Sequence, residues 1–556
     1  MDEAECEVKN LYFCKRTLLY EEDTMGAYLN PGNDAFRSIV RSDYVDKTGL
    51  IGLINKTIGT TKNLTCVSRP RRFGKSFAAQ MLCAYYDKTC DSHCLFEKYD
   101  IAHKDSFEKY LNKFDVIYWD ITGMKPYTDK YKNLVPFLID GLTKEIVERY
   151  PDVTVFKDMS ATLADASEKI GNKFIILIDE WDAPIRENPT EQEDYLEFLR
   201  SLFKNSGTTS KIFAAAYMTG ILPIKKDENQ SAVSDFKEFT MLNPGEYAPY
   251  VGFTENEVKK LCEDKARNYQ SMKKWYDGYN VGGKYSIYNP YSVMLALDSG
   301  RYSSYWKQTS AAETLKTYID MDQDGLQQDI VRLIAGESVI VNTDSFKNDV
   351  ESFTCKDDVL TLMIHLGYLT YEEISDSYDE DGGQLSGLVH IPNEEVRSEF
   401  EQMLRKSKHK SLIELVRKSD ELLKETLAGN GEAVAAMIQD VHETEYTPTY
   451  YNDEQSLRYV VKMAYISSID QFGKVEELPT GRGIADVVFV PKRLSNLPAL
   501  VVELKWNRSA ESALNQIKEK HYPKVLEQFY GEIVIVGINY DEKNKFHQCK
   551  IEKIMK

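Results

Sequence analysis

The chain has 556 residues, a formal net charge of −19 and nine cysteines. No long uncharged apolar run predicts a transmembrane helix, and the acidic first residues do not resemble a secretory signal. The scattered cysteines favour a reducing, cytoplasmic setting over a disulfide framework, and the acidic charge is not typical of non-specific nucleic-acid binding. The length predicts roughly two to four domains.

The first half of the chain alternates short apolar runs with amphipathic stretches. Buried strands are predicted at 63–68, 114–120, 174–179 and 212–220, and helical patterns such as SFAAQMLCAYYD and YLEFLRSLFKN lie between them. Strands that alternate with helices predict an α/β fold with a parallel sheet and helices on both faces.

The stretch SRPRRFGKSF (68–77) carries the last three residues of the phosphate-loop pattern G-x-x-x-x-G-K-[ST]. A strand precedes it and a helix follows, as that loop requires. We expect Gly74 and the helix N-terminus to face phosphates, Lys75 to reach the β- and γ-phosphates, and Ser76 to bind Mg²⁺. Arg69 replaces the first glycine, so we expect Arg69, Arg71 and Arg72 to supply part of the phosphate contacts.

Two later strands supply the rest of this predicted nucleotide site. The strand in KFIILIDEWDAP ends in Asp179, which we expect to hold Mg²⁺ through water, and Glu180 follows to orient the attacking water. The strand in IFAAAYMTG ends in Thr219, where a polar group senses the γ-phosphate. The pattern thus predicts an ATP site with Mg²⁺, whether ATP is hydrolysed or only bound.

The chain becomes mainly helical from about residue 251. Thr254 and Glu257 form a Thr-x-x-Glu capping box at the start of one helix. The acidic stretch 372–387 between two apolar runs predicts a hairpin loop, 394–440 is again helical, and 442–453 suggests the last domain boundary.

A second group of charged residues lies in GRGIADVVFVPKRLSNLPALVVELKWN (481–507). Asp486 begins one apolar strand, and the next strand carries Glu503 and Lys505 on the same face because side chains alternate along a strand. In a hairpin Asp486 lies beside them. Two carboxylates that hold Mg²⁺, with a lysine that positions water, suffice for phosphodiester hydrolysis, and Mn²⁺ is a possible substitute.

The ordered motifs together resemble those of a known family, the AAA-ATPase-like proteins with a C-terminal nuclease domain of the DUF1703 type. The motifs that carry the resemblance are YVDKTGLI, SRPRRFGKS, LIDEWDAPI, TGILPI, GFTENEV, KWYDGYN, YNPYSV, LGYLT and IPNEEVR. The resemblance implies a P-loop ATPase core, in which the first glycine of the loop is commonly an arginine, and makes Asp46 and Lys47 neighbours of the site. We assign the aromatic residues of WYDGY and YNPYSV to the core.

The C-terminal segment resembles the PD-(D/E)XK nuclease superfamily, which implies an α/β/α restriction-endonuclease-like domain. The resemblance places Asp486, Glu503 and Lys505 in its catalytic core and Glu454, on the preceding helix, among the metal ligands. Glu477 is a further possible ligand, and Gln516 matches a polar position near the site.

These interpretations divide the chain into four segments: an N-terminal extension (1–34), the ATPase-like domain (35–250), a helical lid with a winged-helix-like middle region (251–440) and a nuclease-like domain (441–556). The first hypothesis is an ATPase with a Mg²⁺-dependent nuclease that acts on DNA or RNA. A second is a nucleotide-dependent switch whose nuclease fold binds nucleic acid or a partner without cleavage. A third, a nucleoside or small-molecule kinase that uses the same P-loop, is disfavoured by the long helical and C-terminal additions.

Overall fold

The structure is a computed structural model. It describes residues 26–188, 191–204, 206–224, 235–306, 323–334, 338–344, 346, 353, 355–374, 386–405, 410–445, 457, 461, 465, 472–480, 483–491, 497–519 and 532–555. None of the helices within these ranges is long and apolar enough to cross a membrane.

The chain forms two compact units, each described here by itself. The first comprises residues up to Lys307 together with Ile340–Val396, and the second comprises Gln308–Val339 together with Arg397–Lys556. The domain boundaries drawn from the sequence at 34, 250 and 440 are a finer division, and they stay predictions.

A five-stranded parallel sheet lies at the centre of the first unit. Its strands are β1 (Leu64–Ser68), β2 (Asp115–Asp120), β3 (Phe174–Asp179), β4 (Phe213–Gly220) and β5 (Lys237–Phe239). They pair in the order β2-β3-β4-β1-β5. The predicted parallel α/β sheet is confirmed, and it is consistent with a P-loop NTPase domain. Strands β1, β3 and β4 are buried along their whole length, as expected of strands that are covered on both faces.

The helices of this part lie before and between the strands along the chain. They are α1 (Asp34–Val40), α2 (Gly49–Asn55), α3 (Lys75–Tyr86), α4 (His93–Phe96), α5 (Phe107–Tyr110), α6 (Ile121–Met124), α7 (Leu134–Arg149), α8 (Met159–Ile170), α9 (Ala183–Glu187), α10 (Gln192–Phe203) and α11 (Ser206–Ile212), with 3-10 turns at Asp100–His103 and Gly245–Tyr250. Leu138, Leu142 and Ile146 of α7 illustrate the packing, since their helical spacing puts all three in the core.

The sheet register brings the ends of its strands together. Asp179 of β3 pairs with Thr219 of β4, and Thr219 pairs in turn with Val67 of β1. On the other side of β3, Asp120 pairs with Asp179. Parallel strands end at one edge, so this edge collects the polar residues that follow each apolar run.

The first unit continues into smaller elements beyond the parallel sheet. They are β6 (Phe253–Thr254), α12 (Glu255–Asp264), α13 (Tyr269–Tyr276), β7 (Tyr279–Val281), β8 (Tyr285–Tyr288), α14 (Pro290–Ser299), α16 (Lys356–Leu366), β10 (Thr370–Glu373) and β11 (Ser386–His390). The predicted capping box is confirmed, with the Thr254 N–H donating to Glu257 Oε2 at 2.7 Å. Strands β10 and β11 pair antiparallel, as the predicted hairpin requires. Strand β9 (Val339–Asn342) crosses the division between the units.

The second unit contains a five-stranded sheet whose spatial order follows the chain. The strands are β12 (Phe472–Thr480), β13 (Gly483–Pro491), β14 (Ala499–Trp506), β15 (Glu532–Asp541) and β16 (Phe546–Met555). All neighbours pair antiparallel except β14 and β15, which are parallel. The helices are α15 (Leu326–Ile334), α17 (Glu394–Arg405, whose first residues belong to the first unit), α18 (Lys410–Ala428), α19 (Gly431–Glu445) and α20 (Ala510–Glu519).

Candidate functional site

The loop between β1 and α3 leads directly into the N-terminus of a helix. Gly74 has a φ of +90° and forms the N-cap of α3, and Lys75 begins the helix. A side chain at Gly74 would meet no atom within 4 Å, so the space in front of the helix is open. The backbone N–H groups of the first turn of a helix are the donors that bind phosphate in such loops.

Lys75 is buried and joins the loop to the end of β3. Its Nζ lies 3.0 Å from Glu180 Oε1 and donates to the Pro70 carbonyl at 3.1 Å. The ammonium therefore lies between the loop and the acidic residues. Its role in phosphate binding stays a prediction.

Asp179 has the properties of a cation ligand. Burial raises the pKa of Asp179 to about 7, although the Ser76 hydroxyl acts in the opposite direction. Its Oδ1 is buried and has no hydrogen-bond partner among the described residues. A buried carboxylate oxygen without a partner, next to a hydroxyl, fits Mg²⁺, which prefers oxygen ligands and would offset the cost of burial.

Glu180 is held by charges from two directions. Burial alone would raise the pKa of Glu180, but the charges of Lys75 and Arg186 outweigh it and keep the pKa below its ordinary value. The residue has a φ of +51°, in the left-handed region that non-glycine residues rarely occupy. Backbone strain of this kind is common at functional sites.

Thr219 lies at the sheet edge between the loop strand and the acidic strand. Its side chain is buried, and Oγ1 donates to the Val67 carbonyl at 3.0 Å. The sheet register puts Asp179 on the opposite side of Thr219. Thr219 is thus beside the predicted site, where its role as a sensor stays a prediction.

The three arginines of the loop differ in what they contact. Arg69 is only 1% exposed, and its Nη1 donates to the carbonyls of Ser68, Phe239 and Thr240. Burial lowers the pKa of Arg69 to about 10. These contacts fasten the loop to β5 and argue against the direct phosphate contact predicted for Arg69.

Arg71 and Arg72 lie closer to solvent. Arg71 Nη2 is 3.9 Å from Glu187 Oε1, and Arg71 is partly exposed. Arg72 has a φ of +71°, donates to the Tyr305 carbonyl at 2.6 Å and lies over the ring of Tyr291, 4.5 Å from its centroid. Arg71 is therefore the loop arginine whose guanidinium is least committed to carbonyl contacts.

A cavity of about 390 Å³ opens next to the loop. Its lining combines loop residues with mostly apolar and a few polar residues of other segments of the same unit: Ile39, Ser42, Asp43, Tyr44, Val45, Lys47, Arg72, Phe73, Gly74, Lys75, Ser76, Phe77, Ala78, Met81, Glu180, Tyr250, Gly252, Phe253, Pro290, Tyr291 and Met294. A polar end at the loop and an apolar remainder suit a phosphorylated ligand with a ring system.

Lys47 and Asp46, which the resemblance implies are neighbours of the site, have different surroundings. Lys47 lines the cavity, where its Nζ bonds to both oxygens of Glu257 and to the Pro249 carbonyl. Burial lowers the pKa of Lys47. Asp46 instead accepts from the N–H and Oγ1 of Thr48 and from the N–H of Asp100, so its contacts are structural.

In the second unit Glu503 and Lys505 lie together on β14, as alternation predicts. They are 2% and 7% exposed, and Lys505 Nζ is 3.1 Å from Glu503 Oε1. Gln516 of α20 donates to the same carboxylate oxygen. The Glu503 carboxylate thus contacts both the Lys505 ammonium and the Gln516 amide.

Of the other predicted residues of this site, the structure describes the backbone of Asp486 and Glu477. Val487 pairs with Val502, so the backbone puts Asp486 and Glu503 at neighbouring positions of β13 and β14. Glu476 pairs with the same Val487, which puts Glu477 at the adjacent position of β12. The side chains of Asp486 and Glu477, and the whole of Glu454, lie outside the described residues.

Comparison with known proteins bears on the first unit. The family described as AAA-ATPase-like, a predicted AAA-ATPase, matches residues 31–229. These residues, called the AAA-ATPase-like segment below, are thus similar to that family. The match covers the loop between β1 and α3, the acidic end of β3 and Thr219, which are the segments of the predicted nucleotide site.

Two further likenesses are weaker. An uncharacterized protein encoded in the vnfD 5′ region of Azotobacter chroococcum mcd 1 is 24% identical over 387 residues, which cover 67% of this chain and 69% of that protein. The ORC2 protein of Aeropyrum pernix, solved as ADPNP–ADP complexes, covers 65% of this chain and 97% of its own at 10% identity and a TM-score of 0.25. A likeness at that score establishes neither a shared fold nor a shared function.

Three residues of the AAA-ATPase-like segment and its surroundings escaped prediction. Arg186 bonds to Glu180, and Asp182 bonds to Arg186. Their i,i+4 spacing within DEWDAPIR was a usable signal. Tyr291 of YNPYSV was assigned to the core, which is wrong: it is 42% exposed and lines the cavity, while Tyr288 of the same motif is buried as predicted.

Proposed function

We propose that the AAA-ATPase-like segment binds ATP with Mg²⁺ and hydrolyses it, and that the C-terminal part of the chain is a Mg²⁺-dependent nuclease for DNA or RNA. One observation carries the first part: Lys75 at the start of α3 lies 3.0 Å from Glu180, directly after Asp179. The lysine proposed to bind phosphate, the proposed cation ligand and the candidate base thus lie close together at one edge of the sheet.

The roles follow from the chemistry of each group. Lys75 and the N–H groups after Gly74 would bind the β- and γ-phosphates, with Arg71 and Arg72 at the rim. Ser76 and Asp179 would hold Mg²⁺, which neutralises charge on the phosphate oxygens. Glu180 would orient the attacking water, and Thr219 would contact the γ-phosphate side of the site.

Binding and hydrolysis are tested separately. Thermal shift and calorimetric titration with ATP and GTP, with and without Mg²⁺, measure binding, since a ligand well above its Kd stabilises by about 3 kcal/mol. Lys75→Ala should abolish the shift, whereas Lys62→Ala, a change at an exposed turn, should not. Failure of both nucleotides to bind the wild-type protein would exclude the nucleotide site.

The nuclease proposal rests on the shared position of Glu503, Lys505 and Gln516 and on the strand neighbour Asp486. Two carboxylates would hold the metal, Lys505 would position water, and Glu454 would be a further ligand. Mn²⁺ should replace Mg²⁺ because it accepts the same oxygen ligands.

Plasmid DNA and single-stranded RNA, incubated with Mg²⁺ or Mn²⁺ with and without ATP, provide the test. Asp486→Ala and Lys505→Ala should each abolish metal-dependent cleavage. Lys518→Ala removes the same charge from the exposed side of α20, where the lysine pairs with Glu552, and should cleave like wild type.

The alternative is a nucleotide-dependent switch whose nuclease fold binds nucleic acid or a partner without cutting it. The net charge of −19 favours this alternative, as does the mutual pairing of Lys505 and Glu503. ATP binding that depends on Lys75, together with no cleavage under any metal condition, would support the switch and exclude the nuclease.

A further inference from the structure

The short helix α9, directly after the acidic end of β3, carries an arginine that bridges two carboxylates at hydrogen-bond distance and lies 3.9 Å from a third, that of Glu187. Arg186 Nη2 lies 2.8 Å from Glu180 Oε2, and Arg186 Nε lies 2.8 Å from Asp182 Oδ2. The side chain is only 10% exposed. A planar guanidinium held at two points has little freedom to rotate, so the position of Glu180 depends on it.

Asp182, the second carboxylate, is itself fixed by the backbone. It is fully buried and accepts hydrogen bonds from the N–H groups of Ile221, at 3.2 Å, and Leu222, at 2.9 Å. Gly220 lies so close that a side chain there would come within 2.5 Å of Asp182 Oδ1. The Glu180 carboxylate is therefore linked, through Arg186 and Asp182, to the backbone that follows β4.

The two oxygens of Glu180 have different partners. Oε1 faces Lys75 and Oε2 faces Arg186. The Lys75 ammonium is also the group that binds phosphate in the proposed function. When Lys75 contacts phosphate, Arg186 is the remaining side-chain hydrogen-bond partner of Glu180 within the described part of the chain, and Oε1 can then accept a hydrogen bond from water.

We infer that Arg186 is a positioning residue for ATP hydrolysis, acting through Glu180, which it holds at the angle needed to orient water. The inference rests on the proposed ATPase function. A competing explanation is that Arg186 only stabilises the turn after β3 through its i,i+4 pair with Asp182. The two explanations differ in whether the effect of Arg186 depends on the Glu180 carboxylate.

The test is a double-mutant cycle on the full chain. For each protein we measure the single-turnover rate of ATP hydrolysis, the steady-state kcat and KM, and the affinity for ATP. The variants are Arg186→Gln, Arg186→Lys, Glu180→Gln and the Arg186→Gln/Glu180→Gln pair. We expect Arg186→Gln to lower kcat by about 10- to 100-fold, as for a misplaced catalytic group, with KM within about threefold of wild type. Arg186→Lys should restore part of kcat, because an ammonium still reaches one carboxylate.

The cycle distinguishes positioning from folding. In the Glu180→Gln background the further change at Arg186 should have no effect on kcat, because the group that it positions is already gone. Arg200→Gln, which removes an arginine paired with Glu193 on α10, is the matched control and should leave kcat unchanged.

Several outcomes would overturn the inference. If Arg186→Gln lowers kcat by the same factor in the wild-type and Glu180→Gln proteins, Arg186 is a structural residue. If it raises KM and leaves kcat unchanged, Arg186 is a binding residue. If Arg186→Gln does not fold, Arg186→Lys and Asp182→Asn are compared in the same two backgrounds, with the same criterion. Absence of turnover in the wild-type protein would refute the ATPase proposal and this inference together, whereas turnover with additive effects would refute the inference alone.

Discussion

The ammonium of Lys75 and the carboxylate of Glu180 form a buried ion pair, 3.0 Å from Nζ to Oε1. The pair connects the phosphate loop after β1 with the end of β3, two segments separated by β4 in the sheet. In the proposed function a phosphate uses the same ammonium, so Glu180 and the ligand would compete for Lys75. Binding and catalysis would then be coupled through one nitrogen atom.

This competition predicts opposite effects of Glu180→Gln on binding and turnover. Turnover should fall by about 10²-fold or more, as for loss of a general base. ATP affinity should rise by about threefold to tenfold, because a negative charge next to the phosphates is removed. Glu193→Gln, an exposed neutral-for-acid change on α10, is the control, and weaker ATP binding by Glu180→Gln would contradict the competition.

Gly74→Ala should weaken ATP binding and also destabilise the protein. At a φ of +90° an alanine is strained by about 1–2 kcal/mol, and relief of that strain would move the N–H groups that bind phosphate. Gly59→Ala is the matched control: its φ is +76°, its surroundings are equally open, and it lies on an exposed turn. Both variants should lose similar melting temperature, but only Gly74→Ala should lose affinity.

Gly220→Ala should be among the more disruptive small substitutions in the first unit. The added methyl group would come within 2.5 Å of Asp182 Oδ1 and 2.8 Å of the Trp181 ring, and overpacking of this kind costs about 1–3 kcal/mol. Gly52→Ala within α2, where the nearest atom is 4.0 Å away, should be neutral or stabilising. Equal melting temperatures for the two variants would show that the turn after β4 adjusts freely.

His365 should make the first unit sensitive to acid. It is buried, and burial lowers its pKa to about 3, while the unfolded chain keeps the ordinary value of 6.5. Between these values the unfolded chain binds more protons, so this contribution is intact above pH 6.5 and declines toward pH 3, by about 2 kcal/mol at pH 5. His365→Leu should flatten the fall of melting temperature over this range relative to wild type, whereas the exposed His103→Leu should not.

Much of the first unit could be predicted because its signals are local. Continuous apolar runs such as FIILID mark strands that are covered on both faces, and each lies within a residue or two of its predicted bounds. The capping box at Thr254 is encoded within four residues. Alternation along β14 likewise predicted that Glu503 and Lys505 share a face.

Features that depend on distant contacts could not be predicted in this way. The burial of Arg69 follows from carbonyls at Phe239 and Thr240, about 170 residues away, on a strand too short to recognise. The exposure of Tyr291 follows from its position over Arg72 at the cavity rim. Neither contact can be inferred from the residues that are adjacent in the sequence.

The contacts of Arg69 also bear on how the loop meets a ligand. A glycine at this position would leave the loop entrance with many conformations, whereas Arg69 is fastened to three carbonyls and the following Pro70 has a fixed φ. Less conformational entropy then remains to be lost when the loop closes on phosphate. With arginine in place of glycine, the loop would therefore already be rigid before a ligand binds.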